Sequence, residues 1–329
     1  MYCLEDLIKG KPDPALPEGG APFDLQKKKR VNILGLGDVG GTLLTGLKLL
    51  GGDVVSGIGI CSGGDSAKRY EYEMNQTSYP WDYHKLPEVE IIGKEALFDC
   101  DAFVFCASKS VPAAGADIAD VRMVQFEANR EIMKEYAIMA RNRGFRGLFA
   151  VVSDPVDPLC KVAWLESNRN ESGVIDHKGL KPGQIRGYGL GVMNSRAAYY
   201  ARRDERFRSF LTEGRAFGPH GKDLVIANSI ERYDDDLSKE LTKLAVEANL
   251  RTRELGYKPY IAPALSSGAI SLLLTLRGEW HYSSTWLSGV FLGAKNRVTA
   301  DGTELESLPL PEPLYRRIEH AYRELERIV

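Results

Sequence analysis

The sequence lacks the cysteine patterns that mark a disulfide framework or a zinc site. Five cysteines occur in 329 residues, an odd number, and no two of them form a C-x-x-C pair. They are scattered along the chain as Cys3, Cys61, Cys100, Cys106 and Cys160. Disulfide scaffolds and zinc sites both need cysteines at short, recurring spacings. We therefore expect reduced thiols, no metal site and a cytoplasmic protein.

Long hydrophobic runs and an excess of one charge are missing as well. The longest apolar stretch, around residues 270–276, is far too short to span a bilayer, and no apolar segment at the N-terminus resembles a signal sequence. Lys plus Arg number 43 and Asp plus Glu number 45, for a formal net charge of -2. Such balance gives no electrostatic reason to bind nucleic acid or an anionic membrane. We expect neither partner.

The distribution of proline and of periodic hydrophobic residues divides the chain into three parts. Residues 1–29 are rich in proline and glycine, which predicts an extension lying on the surface or on a partner. Residues 30–157 alternate apolar runs with helical patterns, which predicts an α/β domain with a doubly wound parallel sheet of the Rossmann type. Residues 158–329 contain longer helical patterns and a hairpin turn at Asp301-Gly302, which predicts a mixed α+β domain.

Short apolar runs and amphipathic patterns predict the elements of both domains. Strands are expected near residues 31–34, 54–60, 100–107 and 147–152. Helices are expected over residues 66–75, 121–139, 195–208, 234–254, 266–276 and 312–329. Ligands of open α/β sheets bind beyond the carboxyl ends of the strands. The second domain is therefore expected to close over the strand ends near Gly35, Ala107 and Ser153.

Residues 31–41, which read VNILGLGDVGG, combine an apolar run, a glycine-rich turn and the start of a helical pattern. Gly35, Gly37 and Gly40 have the spacing G-x-G-x-x-G. Glycines allow a sharp turn and a close approach of the backbone to a pyrophosphate, and the N-terminus of the next helix offers N–H groups to the anion. The pattern predicts dinucleotide binding. A purely structural corner is the alternative, because glycine-rich turns are common.

Several segments, taken in chain order, are similar to segments of the lactate and malate dehydrogenase family. They are GLGDVGG (35–41), CDAFVFCAS (100–108), Arg122 through Asn129, VVSDPVDPL (151–159), GPHG (218–221) and GVFLGAKNRVTADGTELESLPL (289–310). The resemblance covers residues 30–329 and marks a divergent member. It implies NAD(P)-dependent hydride transfer between a nicotinamide and a small 2-hydroxy acid or a related hydroxy compound. It also implies a homo-oligomer, a dimer or a tetramer.

The resemblance implies a set of cofactor-binding positions at the ends of the predicted strands. These positions are Gly35, Gly37, Asp38, Val39, Gly40, Ser62, Ala107 and Ser153. Members of the family that prefer NAD have an acidic residue at the end of the second strand, where this chain has Cys61 and Ser62. Lys68 and Arg69 follow shortly after. The missing acid and the nearby positive charge favour NADP over NAD.

The family's catalytic acid/base corresponds to His220, in the sequence GPHG. Imidazole suits this role because it exchanges protons near neutral pH. Arg122 matches the arginine that polarises the substrate carbonyl, and a solvated arginine at the start of a helix is the alternative. The segment before it, residues 108–120, resembles the mobile loop that closes over the substrate. Its one basic residue is Lys109, so standard malate or lactate specificity is not expected.

Two departures from the family pattern concern the groups around His220. The family has an aspartate at the head of a helix and an arginine one turn later, where this chain reads Met193-Asn194-Ser195-Arg196. Arg196 is the candidate clamp for a substrate carboxylate, although it is one residue too close for the same helical face. The alternative for Asn194 or Ser195 is capping of a helix that begins there.

The other departure is Asp154, which stands where the family has asparagine. An ionised carboxylate accepts hydrogen bonds but cannot donate one. Our hypothesis is that the negative partner of His220 has moved from the helix to Asp154, which preserves acid/base chemistry and alters the accepted substrate.

Two other functions compete with a dehydrogenase. A dinucleotide-binding protein without dehydrogenase activity, a sensor or structural subunit, is supported by the missing aspartate at the helix head. An NAD-dependent glycosidase on a related fold would need metal-binding Cys and His, which the sequence does not provide. Ser266 and Ser267 match pocket positions of the family, with helix capping as the alternative.

Overall fold

The computed structural model describes residues 2–15, 20–109 and 118–328, and the side chains of the helix Ile118–Asn142 from Phe126 onward. The strands are β1 Lys29–Leu34, β2 Val55–Cys61, β3 Glu88–Ile91, β4 Ala102–Phe105, β5 Leu148–Val151, β6 Ile185–Gly187, β7 Arg215–Phe217, β8 Val225–Ala227, β9 His281–Leu287, β10 Val290–Thr299 and β11 Gly302–Leu305. The α-helices are α1 Asp38–Leu50, α2 Ser66–Asn75, α3 Ile118–Asn142, α4 Val156–Asn168, α5 Leu190–Ala201, α6 Phe210–Glu213, α7 Asp235–Glu254, α8 Ser271–Arg277 and α9 Glu312–Ile328. A π-helical segment, Pro263–Ile270, leads into α8.

A nine-stranded sheet in the described residues has the order β11-β10-β9-β6-β5-β4-β1-β2-β3. The strands from β3 to β6 run parallel, and β9 joins β6 antiparallel. The predicted α/β class with a doubly wound, mostly parallel sheet is therefore confirmed. The β10–β11 hairpin turns at the predicted Asp301-Gly302.

Both faces of the sheet are buried, which explains why its central strands read as continuous apolar runs. Side chains alternate between the faces: Val31 and Ile33 pack toward α1 and α8, whereas Leu34 packs toward α3 and α4. Phe103 and Phe105 of β4 point to the same side as Leu34. Helices on both faces thus hold β1, β4 and β5 in the centre of the fold.

The parallel register brings the ends of three strands to one edge of the sheet. Leu34 pairs with Phe105, and Phe105 pairs with Val151. The residues that follow, at Gly35, Ala107 and Ser153, therefore leave the sheet side by side. This edge is the place where open α/β sheets bind ligands.

The helix predicted over residues 195–208 begins and ends earlier in the chain, at Leu190–Ala201. Ser267 explains the earlier start, because its hydroxyl accepts the N–H of Val192 at 2.8 Å and donates to the carbonyl of Gly189 at 2.7 Å. The alternative interpretation, that Asn194 or Ser195 caps this helix, is wrong, since both lie inside it. Ser267 acts as the cap from a different element, which a local pattern cannot show.

The sheet takes strands from both sides of residue 157, and α4 runs across that position. Near the N-terminus, Leu4 and Leu7 are buried in one cluster with Leu314 and Ile318 of α9. The division at residue 157 stays a prediction.

Candidate active site

The turn between β1 and α1 requires glycine at Gly35 and Gly40. Gly35 has φ = +90°, and a Cβ there would lie 2.9 Å from the backbone nitrogen of Ala107. A Cβ on Gly40 would lie 2.0 Å from the carbonyl oxygen of Gly35. Any other side chain at these two positions would push the strand, the turn and the helix apart.

Gly37 is under no such constraint. It is the N-cap of α1, no side chain caps the helix there, and a Cβ would meet nothing within 4 Å. Its φ of −73° is open to any residue. The turn therefore leaves space beside the unpaired N–H groups of the first helical turn, which fits the pyrophosphate of a dinucleotide.

Asp38 and Val39 follow in the first turn of α1. Val39 is half-buried against the core. The Asp38 carboxylate would repel a phosphate, but Lys258 Nζ lies 3.0 Å from its Oδ2. This ion pair offsets the charge of Asp38 beside the glycine-rich turn.

The end of β2 carries Cys61 and Ser62 beside that turn. The Ser62 hydroxyl accepts the N–H of Leu36 at 3.4 Å. Farther along, Lys68 pairs with Asp65 at 3.0 Å and Arg69 pairs with Glu73 at 3.1 Å. Both cations on which the NADP preference depends thus already have carboxylate partners.

Asn129 joins the segments that follow β4 and β5. This fully buried amide donates to the carbonyl of Asp154 at 2.7 Å and accepts the N–H of Lys109 at 3.0 Å. The Ser153 hydroxyl donates to the carbonyl of Ala107 at 2.7 Å. Asn129 was not among the predicted site residues, although it ends one of the family-like segments.

His220 and Asp154 lie together at this edge. Nδ1 of His220 is 3.2 Å from Oδ1 of Asp154, and the two side chains are 18% and 53% exposed. Gly189 makes room for the loop, because a Cβ there would lie 2.6 Å from Cβ of His220. Contacts therefore run continuously from the glycine-rich turn through Ala107 and Ser153 to this histidine–carboxylate pair.

Asp157 is a second carboxylate beside His220 that the prediction did not include. Its Oδ2 accepts the backbone N–H of His220 at 3.4 Å, and its Oδ1 accepts the hydroxyl of Ser284. Burial raises the pKa of Asp157 to about 6. The one available signal was the spacing of the two acids in SDPVDP. Asp157 follows Asp154 by three residues and lies in the first turn of α4.

Replacement of Asp157 by asparagine tests this burial. Asparagine can accept from His220 and donate to Ser284, so the contacts persist. The parent carboxyl favours folding below about pH 4 and loses that contribution as the pH rises through about 6, because the folded state then holds a buried charge. We expect the unfolding free energy of the parent, relative to D157N, to fall by about 2 kcal/mol between pH 4 and pH 7 in urea titrations.

The control for this measurement is Asp65→Asn, which removes an exposed carboxyl. The difference in unfolding free energy between Asp65→Asn and the parent should stay nearly constant over the same pH range. If the difference in unfolding free energy between the parent and D157N does not change with pH, Asp157 is not a buried carboxyl with a raised pKa.

Arg196 and Asn194 lie in the interior of α5. Arg196 Nη1 contacts Met193 Sδ at 3.5 Å and the carbonyl of Ala245 at 3.4 Å. Burial lowers the pKa of this guanidinium, and Tyr200 and Asp154 oppose that shift. Asn194 is half-buried and is not at the head of the helix.

Two other predicted features lie wholly or partly outside the described residues. They are the side chain of Arg122 and residues 110–117 of the predicted loop. Ser266 and Ser267 do not begin a helix, since both belong to the π-helical segment that starts at Pro263.

No family model and no curated protein matches the chain. Solved structures do match it. The minor L-lactate dehydrogenase of Enterococcus mundtii superposes with a TM-score of 0.71 and 19% identity, over 91% of this chain and 96% of that one. The malate dehydrogenase of Archaeoglobus fulgidus in complex with NADH has a TM-score of 0.68 and 16% identity, over 90% and 97%. The chain has the fold of lactate and malate dehydrogenases.

A third structure with this dehydrogenase fold is the malate dehydrogenase of Aeropyrum pernix, with a TM-score of 0.71, 16% identity and coverage of 90% of this chain and 96% of that one. At such identities the superposition establishes the dehydrogenase fold, and the chemistry has to be argued from the site. The part of the chain that the structure describes contains no group of three or more His, Cys, Asp or Glu placed to hold a metal. Nor does it contain a helix long and apolar enough to cross a membrane.

Proposed function

We propose that this protein is an NAD(P)-dependent oxidoreductase that interconverts a small 2-hydroxy acid, or a related hydroxy compound, with its oxo form. The observation that carries the proposal is the His220–Asp154 pair, with 3.2 Å between Nδ1 and Oδ1, at the sheet edge next to the glycine-rich turn. An imidazole held by a carboxylate through one nitrogen leaves the other nitrogen for a substrate. The dehydrogenase fold supports the same function.

His220 is the proposed acid/base. When the hydroxy compound is oxidised, Nε2 of His220 takes the hydroxyl proton as the carbon–hydrogen bond breaks. A nicotinamide dinucleotide bound at the turn would accept the hydride. The negative charge of Asp154 stabilises the imidazolium that forms, and Asp157 holds the backbone of His220 through its N–H. In the reverse direction His220 returns the proton to the oxygen.

The proposed substrate carries a carboxylate that Arg196 binds. The guanidinium is half-buried, where a carboxylate gains more from pairing than it does in open water. Arg122 is the proposed group for polarising the carbonyl. With Lys109 as the one basic residue of the loop over residues 108–120, we propose a substrate other than standard malate or lactate. Asn194 remains a proposed site residue through its place in the same helix.

The proposed cofactor is NAD or NADP. β2 ends at Cys61 and is followed by Ser62, so this position provides no carboxylate for the ribose diol of NAD, which favours NADP. The ion pairs of Lys68 and Arg69 oppose that preference, because a 2′-phosphate would have to compete with Asp65 and Glu73. Fluorescence titrations with NADH and NADPH on the same preparation decide between them.

Gly37→Glu tests the cofactor site directly. The open space and ordinary φ at Gly37 should preserve the fold, whereas a carboxylate there would meet the pyrophosphate. We expect the affinity for NADH or NADPH to fall by about 100-fold or more, since like charges a few Å apart cost several kcal/mol. Titration of both cofactors by intrinsic fluorescence measures the loss.

Gly40→Ala is the matched contrast, because its Cβ would lie 2.0 Å from the carbonyl oxygen of Gly35. This variant should lose stability as well as cofactor affinity, whereas G37E should unfold at the temperature of the parent. Unchanged dinucleotide binding by a folded G37E protein would rule out the glycine-rich turn as the cofactor site.

The second candidate is a dinucleotide-binding protein without dehydrogenase activity. It is favoured by the position of Asn194 inside α5 and by the contacts of Arg196 with Met193 and Ala245. A panel of 2-hydroxy and 2-oxo acids, assayed with both cofactors, separates the two functions. Dinucleotide binding with no turnover on the panel supports a sensor or structural subunit. In either case we propose a cytoplasmic homo-oligomer, a dimer or a tetramer.

A further inference from the structure

A cavity of about 470 Å³ lies at the opposite edge of the sheet from the candidate active site. Its lining includes residues next to or at the beginnings of β1, β2 and β3, namely Lys28, Val55 and Glu88. In a parallel sheet the amino ends of the strands lie on the edge away from the carboxyl ends. The cavity is therefore separate from the glycine-rich turn and from His220.

Basic side chains dominate the charge of this cavity. Lys28, Lys48 and Lys85 line it, together with the imidazole of His84, against the single carboxylate of Glu88. Further polar side chains in the lining are those of Ser56, Asn75, Thr77, Ser78 and Tyr83. An excess of ammonium groups around a concave surface attracts anions and repels cations.

Lys48 is the residue that points to a ligand. It is 4% exposed, and its Nζ donates to the carbonyl of Pro87 at 2.9 Å. One such bond uses one of the three N–H groups of an ammonium. Among the described residues no carboxylate forms an ion pair with Lys48, and burial lowers its pKa despite the opposing effect of Glu88. A buried ammonium with so few partners is costly unless another anion compensates it.

The two exposed lysines are held at the rim. Lys28 Nζ donates to the carbonyl of Gly52 at 2.6 Å, and Lys85 Nζ lies 4.3 Å from the centre of the Tyr79 ring. Neither contact neutralises the ammonium charge. The Asp53 carboxylate also acts on Lys28, but it is paired with Arg277 at 2.7 Å, so both lysines can reinforce an anion bound to Lys48. A phosphate group suits such a site, because its oxygens accept several charge-assisted hydrogen bonds at once.

We propose that this cavity is a phosphate-binding site, centred on Lys48 and closed by Lys28 and Lys85. The ligand is inorganic phosphate or the phosphate group of a small ester. This site is independent of the proposed dehydrogenase function and does not rest on it.

Calorimetric titration of the full-length protein tests the proposal. Inorganic phosphate and glycerol phosphate are titrated in a phosphate-free buffer of low ionic strength, in the Gly37→Glu background, so that the glycine-rich turn does not contribute. We expect saturable binding with a Kd of about 1 mM or below. Equal affinities identify free phosphate as the ligand class, and tighter binding of the ester identifies a phosphomonoester.

Lysine-to-methionine variants locate the binding. Lys48→Met should lower the affinity for phosphate by about tenfold or more, because it removes a charged donor from a buried position. Lys28 and Lys85 are both exposed, so Lys28→Met and Lys85→Met should keep the fold. Each should lower the affinity for phosphate about two- to fivefold. Lys134→Met, an exposed lysine of α3 outside the cavity, is the matched control and should bind as the parent does.

Two results would overturn the phosphate site. One is the absence of saturable binding by the parent in the G37E background. The other is parental affinity in the Lys28 and Lys85 variants, which decides the question even if Lys48→Met fails to fold. If Lys48 only supports the end of α1, Lys48→Met will change the stability of the protein and leave its affinity for phosphate unaltered.

Discussion

Replacement of His220 by glutamine is expected to lower the rate of hydride transfer by about 10²–10⁴-fold. Glutamine keeps a polar side chain in the loop but cannot take up the substrate proton. The affinity for NADH or NADPH should be unchanged, because the glycine-rich turn belongs to a different element. Steady-state kinetics on the best substrate of the panel, together with cofactor titration, measure both quantities.

His320→Gln is the matched control for this variant. His320 of α9 also faces a carboxylate, with 3.7 Å between its Nε2 and Oδ1 of Asp223, and its side chain is 65% exposed. Its loss should leave turnover within about twofold of the parent, since a surface ion pair contributes little. If H220Q turns over as fast as H320Q, His220 is not the acid/base.

Replacement of Asp154 by asparagine is expected to reduce turnover by about 10²-fold or more. Asparagine preserves the size of the side chain 3.2 Å from His220 but removes the charge that stabilises the imidazolium. Cofactor affinity again serves as the internal reference. Asp65→Asn, at an exposed carboxyl outside the pair, should have no such effect.

The double variant Asp154→Asn with Asn194→Asp restores the arrangement of the lactate and malate dehydrogenase family. Asn194 lies in the interior of α5, and the contact with His220 belongs to Asp154. The double variant should therefore remain slower than the parent on the parent's own best substrate. If it is faster, the relocation of the negative partner to Asp154 is wrong.

Local patterns along the chain were enough to predict the α/β class, the central strands and the helix α2. They were also enough for the glycine-rich turn, because φ = +90° at Gly35 and the close approach at Gly40 can be met by glycine alone. Apolar runs and glycine spacing depend on residues within a few positions of one another. Such features can be read without knowing what lies across the sheet.

Contacts between distant segments decided the rest. The start of α5 depends on Ser267, and the segments after β4 and β5 are joined through Asn129. The buried carboxylate of Asp157 accepts a hydrogen bond from Ser284 of β9. The sequence suggested Asp154 as the partner of His220, but the 3.2 Å between them exists because the fold brings residues 66 positions apart to one edge. Periodicity and spacing describe a single segment, whereas partners, burial and charge depend on which segments the folded chain packs together.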